Sequence, residues 1–434
     1  MKITMKSIVA VVLLVVLSVP VFASGQSEGE AGKKAREISA MVMQTRNYEG
    51  LQDMMTRMKE EENIAVDLQV VPDDQYLNLI KIKANSGEAT DLMDYNAPHI
   101  LDIFEPEKYL VDLTDQEWTK RLINKEMVSK NGKIYAYPFL STSGYQAMIY
   151  NMDVFEANGV EVPTTPEEFE AVCEKLKAGG VTPILLASDA WVPQIWMTSG
   201  YSRVLGSDAA AEDFAEKLLS NKAKLTDYPE LEAPLDHYLS MFEKGYMNDD
   251  YLTLNIDGVY GKLGKGEGAM FFGSLGLANS IELAFPEGNF GMFNMPTSYD
   301  SKDLISGGPF SPSFVVSKDA DDLETVLEVL NIWARPDYAS MYFKGRPGFP
   351  ALDGVNGGDL PPYALDIYNK YVKGGKVVKE MNINLNALSS LNPSTLWVYY
   401  QEAPSKGNMT ANDILVRWQN DIEKFMTEQK APGW

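Results

Sequence analysis

Residues 131–184 read NGKIYAYPFLSTSGYQAMIYNMDVFEANGVEVPTTPEEFEAVCEKLKAGGVTPI, and the order of signals within them decides the fold. Residues 134–140 alternate and are rich in aromatics, which predicts a strand. The small polar run Ser141-Thr142-Ser143-Gly144 predicts a crossover, and the apolar run 147–150 a second strand leading towards a helix. That helix has Thr165 as N-cap, Pro166 at its first position and Glu168 to complete a capping box. Phe169, Val172, Cys173 and Leu176 then share one face at helical spacing. Gly179-Gly180 stops the helix, because glycine accepts the left-handed conformation there.

Working outward, residues 38–43 predict a first strand, and Asn47 a cap for a helix striped by Leu51, Met54, Met55 and Met58. A strand follows at 64–70, a helix at 75–84 and a short strand at 91–94 that ends in Tyr95-Asn96. This β-α-β-α-β order predicts a parallel, doubly wound sheet. Beyond 145 the style repeats, with helices at 209–220 and 229–244, a glycine-rich turn at 261–268, and strands at 269–272 and 290–293. The turn lacks the GKS or GKT ending of a phosphate-cradling loop. Residues 307–311 and 345–350 read as second and third crossovers. They flank a strand at 313–316 and a helix at 319–334 with acids in its first turn, as the dipole favours. Thr410 and Asp413 start a final helix striped by Ile414, Trp418, Ile422 and Phe425.

A chain of 434 residues with 45% apolar content can bury two or three cores. Its formal charge of −23 repels nucleic acid and anionic lipid, so neither is an expected partner. Lys2 and Lys6, the apolar run 8–19, Pro20 and the small residues Val21 and Ala23 at the −3 and −1 positions form a secretory signal pattern with cleavage expected after Ala23, which moves the formal charge to −25. Residue 24 is Ser, so no lipid-modified cysteine starts the mature chain; a freely diffusing periplasmic protein is expected. The sole cysteine, Cys173, lies in an apolar stripe and reads as a structural thiol. Two histidines, His99 and His237, fall in no zinc-hydrolase pattern, no EF-hand loop is present, and the Gly-x-Ser-x-Gly spacing at residues 25–29 lies in a polar, Gly- and Glu-rich lead-in rather than at a strand-to-helix turn. No catalytic residue, metal or cofactor is therefore assigned. Paired carboxylates for glycoside hydrolysis stay open among 61 acids.

Tyr137-Pro138, Tyr150-Asn151, Phe155 to Gly159, Pro163 to Phe169 and Gly180 to Ile184 occur in that order within about fifty residues. The set resembles the extracellular sugar-binding proteins of bacterial ABC importers, of the maltose-binding type. The resemblance implies an α/β, two-lobed periplasmic-binding-protein fold (type II), each lobe a mostly parallel sheet flanked by helices, with a hinge of three crossovers. It divides the chain into a signal peptide (1–23), an N-terminal lobe (36–140 plus 308–348) and a C-terminal lobe (141–307 plus 349–434). It also implies a carbohydrate ligand held between the lobes, delivery to the membrane subunits of an ABC permease, and a monomer that is not an enzyme. A secreted glycoside hydrolase working through a carboxylate pair is the alternative, and a scaffold or adhesion protein a third reading.

Sugars present hydroxyl rims and flat C–H faces, so a site for them needs aromatic platforms and fixed donors and acceptors at strand ends and crossovers. Those places hold Tyr48, Tyr95, Asn96, Ser143 and Tyr145. Asp189 and Trp191 follow the strand at 181–187, where the resemblance implies an acid and a Trp. The loop 392–397 ends in Trp397, where it implies an aromatic platform. Each aromatic can equally be core packing, and Asp94 equally a plain strand-end acid. Family members often carry a Trp after the strand at 269–272; here Gly273-Ser274-Leu275-Gly276 stands there, which speaks for a smaller or less stacked ligand than a maltodextrin.

Overall fold

Ile38, Ala40, Met41 and Val42 are buried along β1 (Arg36–Met43), and β2 (Ile64–Val71) pairs with it in parallel over eight residues. The computed structural model that shows this describes residues 35–434, apart from 143, 309, 310 and 408 and the side chains of 74, 103 and 406. The signal-like segment and Ser143 thus lie outside the described residues.

Further along, β3 (Leu92–Ala97) adds to β1 in parallel, and the hairpin of β4 (Ser129–Lys130) and β5 (Lys133–Ile134) precedes β6 (Ala136–Pro138). A second set follows: β7 (Tyr145–Asn151), β8 (Thr182–Leu185), β9 (Gly268–Ser274), β10 (Phe290–Phe293) and β11 (Ile305–Gly307). β12 (Ser311–Val316) returns to the first sheet and β13 (Val377–Lys379) to the second. One sheet runs β2-β1-β3-β12-β6; the other runs β13-β11-β7-β9-β8, with β10 also on β7. Both are mixed, because β12 is antiparallel to β3 and β6, and β7 is antiparallel to β9, β10 and β11.

Each sheet has its own apolar core. Buried residues between Ile38 and Leu140 join Phe314 to Phe343 and Leu352 in one. Buried residues between Ala147 and Ile305 join Tyr363 to Met426 in the other. The chain passes between the cores at Leu140–Thr142 and again between Gly307 and Ser311. After the second passage, Phe349 packs on the second core, Leu352 and Val355 on the first, and Leu360 on the second again. Residues 345–350 form a strap along the seam, since Pro350 bridges Leu140 and the Pro347 carbonyl accepts from Asn279 Nδ2 at 2.8 Å.

Several helix ends differ from expectation for local reasons. Tyr48, not Asn47, is the N-cap of the helix Glu49–Glu62, and no side chain caps it; Asn47 closes the preceding 3-10 turn. Thr165 does cap the helix Pro166–Ala178, accepting from the Glu168 N–H at 3.2 Å. Glu168 reaches back one residue further than a capping box requires, to the N–H and Oγ1 of Thr164 at 2.8 and 2.7 Å. The reciprocal box is complete at Thr410 and Asp413. Cys173 is wholly buried in its stripe, and burial pushes its thiol up to about 12, so it is an inert packing residue at neutral pH. No described helix is long and apolar enough to cross a membrane.

Candidate functional site

The crossover end of each sheet is also the end where its parallel strands finish. In the first sheet β3 ends at Ala97 opposite Ser311, and β6 at Pro138 opposite Ser313. In the second, β9 ends at Ser274 opposite Gln146, and β11 at Gly307 opposite Tyr145. Hydrogen bonds tie the linking segments together: Ser141 N–H to the Phe349 carbonyl (2.8 Å), Ala351 N–H to the Phe139 carbonyl (2.9 Å), and the Thr142 hydroxyl to the Gly308 carbonyl (2.8 Å). Gly144 sits at φ +103° with the Leu275 side chain where its Cβ would be, so only glycine fits that bend. Gly307 leaves room for the Tyr145 ring, whose Cδ1 lies 2.5 Å from where a Cβ would project.

On the N-terminal side, residues just past β1 meet the end of β3. Arg46 Nη1 contacts Asp94 Oδ1 at 3.0 Å and Arg46 Nη2 donates to Asn96 Oδ1 at 2.6 Å. The pair is nearly dry, with Arg46 11% and Asp94 2% exposed. Burial works against the Arg46 charge, but the Asp94 carboxylate more than offsets it and holds the guanidinium above its ordinary value. The Arg46 guanidinium also lies 5.9 Å from the centre of the Tyr95 ring, which runs parallel to Tyr76 at 6.3 Å. Tyr48 stands beside them, edge-on to Tyr342 at 5.8 Å, with the Arg346 guanidinium over its face at 3.9 Å. Tyr48, Tyr95 and Asn96 are thus drawn into one cluster whose organiser, Arg46, the sequence reading did not single out. Its signal was position: it lies in the turn that leaves the first strand, two residues before Tyr48.

On the C-terminal side, Asp189 and Trp191 follow β8. Asp189 Oδ2 accepts from the Ile256 N–H at 2.8 Å, and its carbonyl from the Val192 N–H at 2.8 Å, so it fixes both the helix Ile256–Gly264 and the helix Trp191–Leu205. Trp191 opens the latter helix half-exposed, its inner side on the C-terminal core. One turn on, Gln194 Oε1 accepts from Asn382 Nδ2 at 2.8 Å. Trp397 stands on a helix, Leu396–Lys406, rather than in the expected loop; its Nε1 is buried without a partner among the described residues. Across the seam, Asp102 accepts from both Lys130 and Asn386, a direct link between the two cores.

A buried polar chain lies behind Tyr145. Gln146 Nε2 donates to Glu380 Oε2 at 2.6 Å, and Ser306 Oγ bonds Gln146 Oε1 at 2.6 Å. Glu380, 6% exposed, also bonds Asn382, and its N–H donates to the Gly307 carbonyl at 2.8 Å. Burial pushes its carboxyl up to about 8 against the hydrogen bonds from Asn382 and Gln146, so it is largely protonated at neutral pH. The folded chain keeps this proton from about pH 4.5 to about 8 while an unfolded chain releases it. Stability is therefore lost as pH rises through that window, by about 1.4 kcal/mol per pH unit. Glu380→Gln keeps the neutral shape, so its melting temperature between pH 5 and 8 is expected to vary less than that of the native chain and to exceed it at pH 8. Parallel curves would show that Glu380 is not protonated.

Two sheets of this order, each with its own core, joined by linking segments and carrying rings and fixed polar groups at their strand ends, make a two-lobed α/β fold. The chain belongs to the bacterial extracellular solute-binding protein family, matched over residues 44–340. It is 25% identical over 182 residues to the melibiose/raffinose/stachyose-binding protein MelE of Bacillus subtilis, covering 40% of this chain and 41% of MelE. It is 28% identical over 178 residues to a multiple sugar-binding protein of Streptococcus mutans, covering 39% and 40%. These alignments span about two fifths of the curated relatives' length. Among solved structures, a chitin oligosaccharide binding protein superposes with a TM-score of 0.75 at 18% identity, over 90% of this chain and 99% of that one. RafE in complex with raffinose gives 0.74 at 19%, over 89% and 99%. The fold is therefore the two-lobed α/β architecture of the periplasmic binding proteins.

Proposed function

We propose that this protein is the substrate-binding component of an ABC importer, capturing a mono- or oligosaccharide between its lobes and presenting it to membrane permease subunits. One observation carries the reading: Tyr48, Tyr95 and Asn96 on one lobe, and Tyr145, Asp189 and Trp191 on the other, all stand at the sheet ends from which the linking segments leave. The names of MelE, the multiple sugar-binding protein and RafE support the ligand class. Only a closed form would bring both sets of groups onto one sugar, so ligand would favour closure. The lobes would then be 36–140 with 308–348, extended by residues 351–355, and most of the remainder. Periplasmic location after cleavage at Ala23, and a monomeric state, complete the proposal.

A glycosidase would need two carboxyl groups flanking one bond. Asp94 and Asp189, the acids next in sequence to Tyr95 and Trp191, are engaged by Arg46 and by the Ile256 N–H, which favours binding over hydrolysis. The test is a thermal-shift screen against mono- and oligosaccharides, with a check for sugar release. A binder at a hundred times its Kd adds about 2.7 kcal/mol and raises the melting temperature. A panel that leaves the melting temperature unmoved, or one that is hydrolysed, contradicts the proposal.

A further inference from the structure

Arg346 occupies an unusual electrostatic position. Six of the eight arginines (Arg36, Arg46, Arg57, Arg121, Arg203 and Arg335) donate to carboxylate or carbonyl oxygens. A seventh, Arg417, lies exposed on the last helix over Tyr399. Arg346 is half-buried, and among the described residues no oxygen acceptor meets its guanidinium. The guanidinium lies over the Tyr48 ring, 3.9 Å from its centre. The strap that carries it is fixed on both sides: the Arg346 N–H donates to the Phe343 carbonyl, and the next residue's carbonyl accepts from Asn279 of the C-terminal lobe. Its charge acts on phenols of both lobes, opposing the upward push of burial on Tyr48 and on Tyr260 of the helix Ile256–Gly264. The guanidinium therefore stands at the seam, beside a ring expected to meet ligand, with its donors open, in a chain of formal charge −23.

A half-buried guanidinium without an anion is poorly compensated, and its planar fork matches a carboxylate in two parallel hydrogen bonds. We propose that the ligand is an acidic saccharide whose carboxylate is received by Arg346, flat against Tyr48; this rests on the carbohydrate reading above. The single charge of a uronic acid suits one fork. A dianionic phosphate is the poorer match, given the acidity of the chain.

Calorimetric titration of the full chain decides it, comparing glucuronic and galacturonic acid and a galacturonate disaccharide with glucose, galactose and melibiose, and with glucose 6-phosphate as a separate arm. The acidic member of a pair is expected to bind at least about tenfold more tightly than its neutral counterpart, with an advantage that shrinks in salt. In Arg346→Gln this ratio is expected to fall to about one, and in Arg346→Lys, which keeps the charge but loses the fork, to lie between. Melting curves of both variants establish that they fold. Neutral sugars binding as well as acidic ones, or a ratio unmoved by Arg346→Gln, overturns this proposal and leaves the sugar receptor standing. Tighter binding of the phosphate overturns the carboxylate assignment. No binding by any saccharide overturns both.

Discussion

Asp300→Ala is expected to destabilise the C-terminal lobe by about 3–5 kcal/mol, the largest stability loss of any single change considered. Arg203 Nε contacts Asp300 Oδ2 at 2.9 Å, and the two side chains are 2% and 1% exposed. The same carboxylate accepts from the Leu304 and Lys302 N–H groups at 2.7 and 3.1 Å. Removing it strands a guanidinium in the core with only the Met295 carbonyl at 2.9 Å and Thr297 Oγ1 at 3.5 Å, and unties the turn that leads to β11. The pair is not a net stabiliser by virtue of being ionic, because desolvation opposes its attraction. Arg203→Met combined with Asp300→Leu is therefore expected to recover much of the loss. Denaturant titration measures both; a loss under about 1 kcal/mol for Asp300→Ala would show that water reaches the pair in solution.

The second large effect concerns affinity. Trp191→Ala is expected to weaken binding of the best saccharide by about 2–4 kcal/mol, roughly 30- to 1000-fold, as for an aromatic anchor at the centre of an interface. Asp189 and the first turn of the helix Trp191–Leu205 hold the indole in place, and its outer side is open. Because its inner side packs on the C-terminal core, the variant is also expected to melt somewhat lower, so affinity is compared at a temperature where both proteins are folded. Calorimetry on the variant checks this, and unchanged affinity would remove Trp191 from the site.

Much of the N-terminal sheet was legible in the sequence because β1 to β3 alternate with amphipathic helices, and period alone separates the two. The helix Trp191–Leu205 was not legible: it is buried without a break from Val192 to Arg203, so no polar face marks its period. The directions of β7 and β12 were hidden for another reason. They are set by which distant strand each segment meets after a crossover, and a run of buried residues reads the same either way. The ring positions of the candidate site were accessible because strand ends and crossovers are visible as turn chemistry. Arg46 and Arg346 were not, since their importance lies in what they touch: Asp94 is 48 residues away from Arg46, and Tyr48 lies nearly three hundred residues from Arg346. Trp397, a candidate by resemblance, stands on a helix and not in the expected loop, because Asn392-Pro393-Ser394 looks like a turn and is followed at once by a helix.

The measurement that bears most directly on the central claim is small-angle X-ray scattering of the chain from Ser24 onward, titrated with the tightest-binding saccharide of the panel. A receptor that shuts its lobes on the sugar should show a radius of gyration that falls along the same saturation curve as calorimetric binding. A saccharide that binds while the radius stays constant would contradict closure around the ligand.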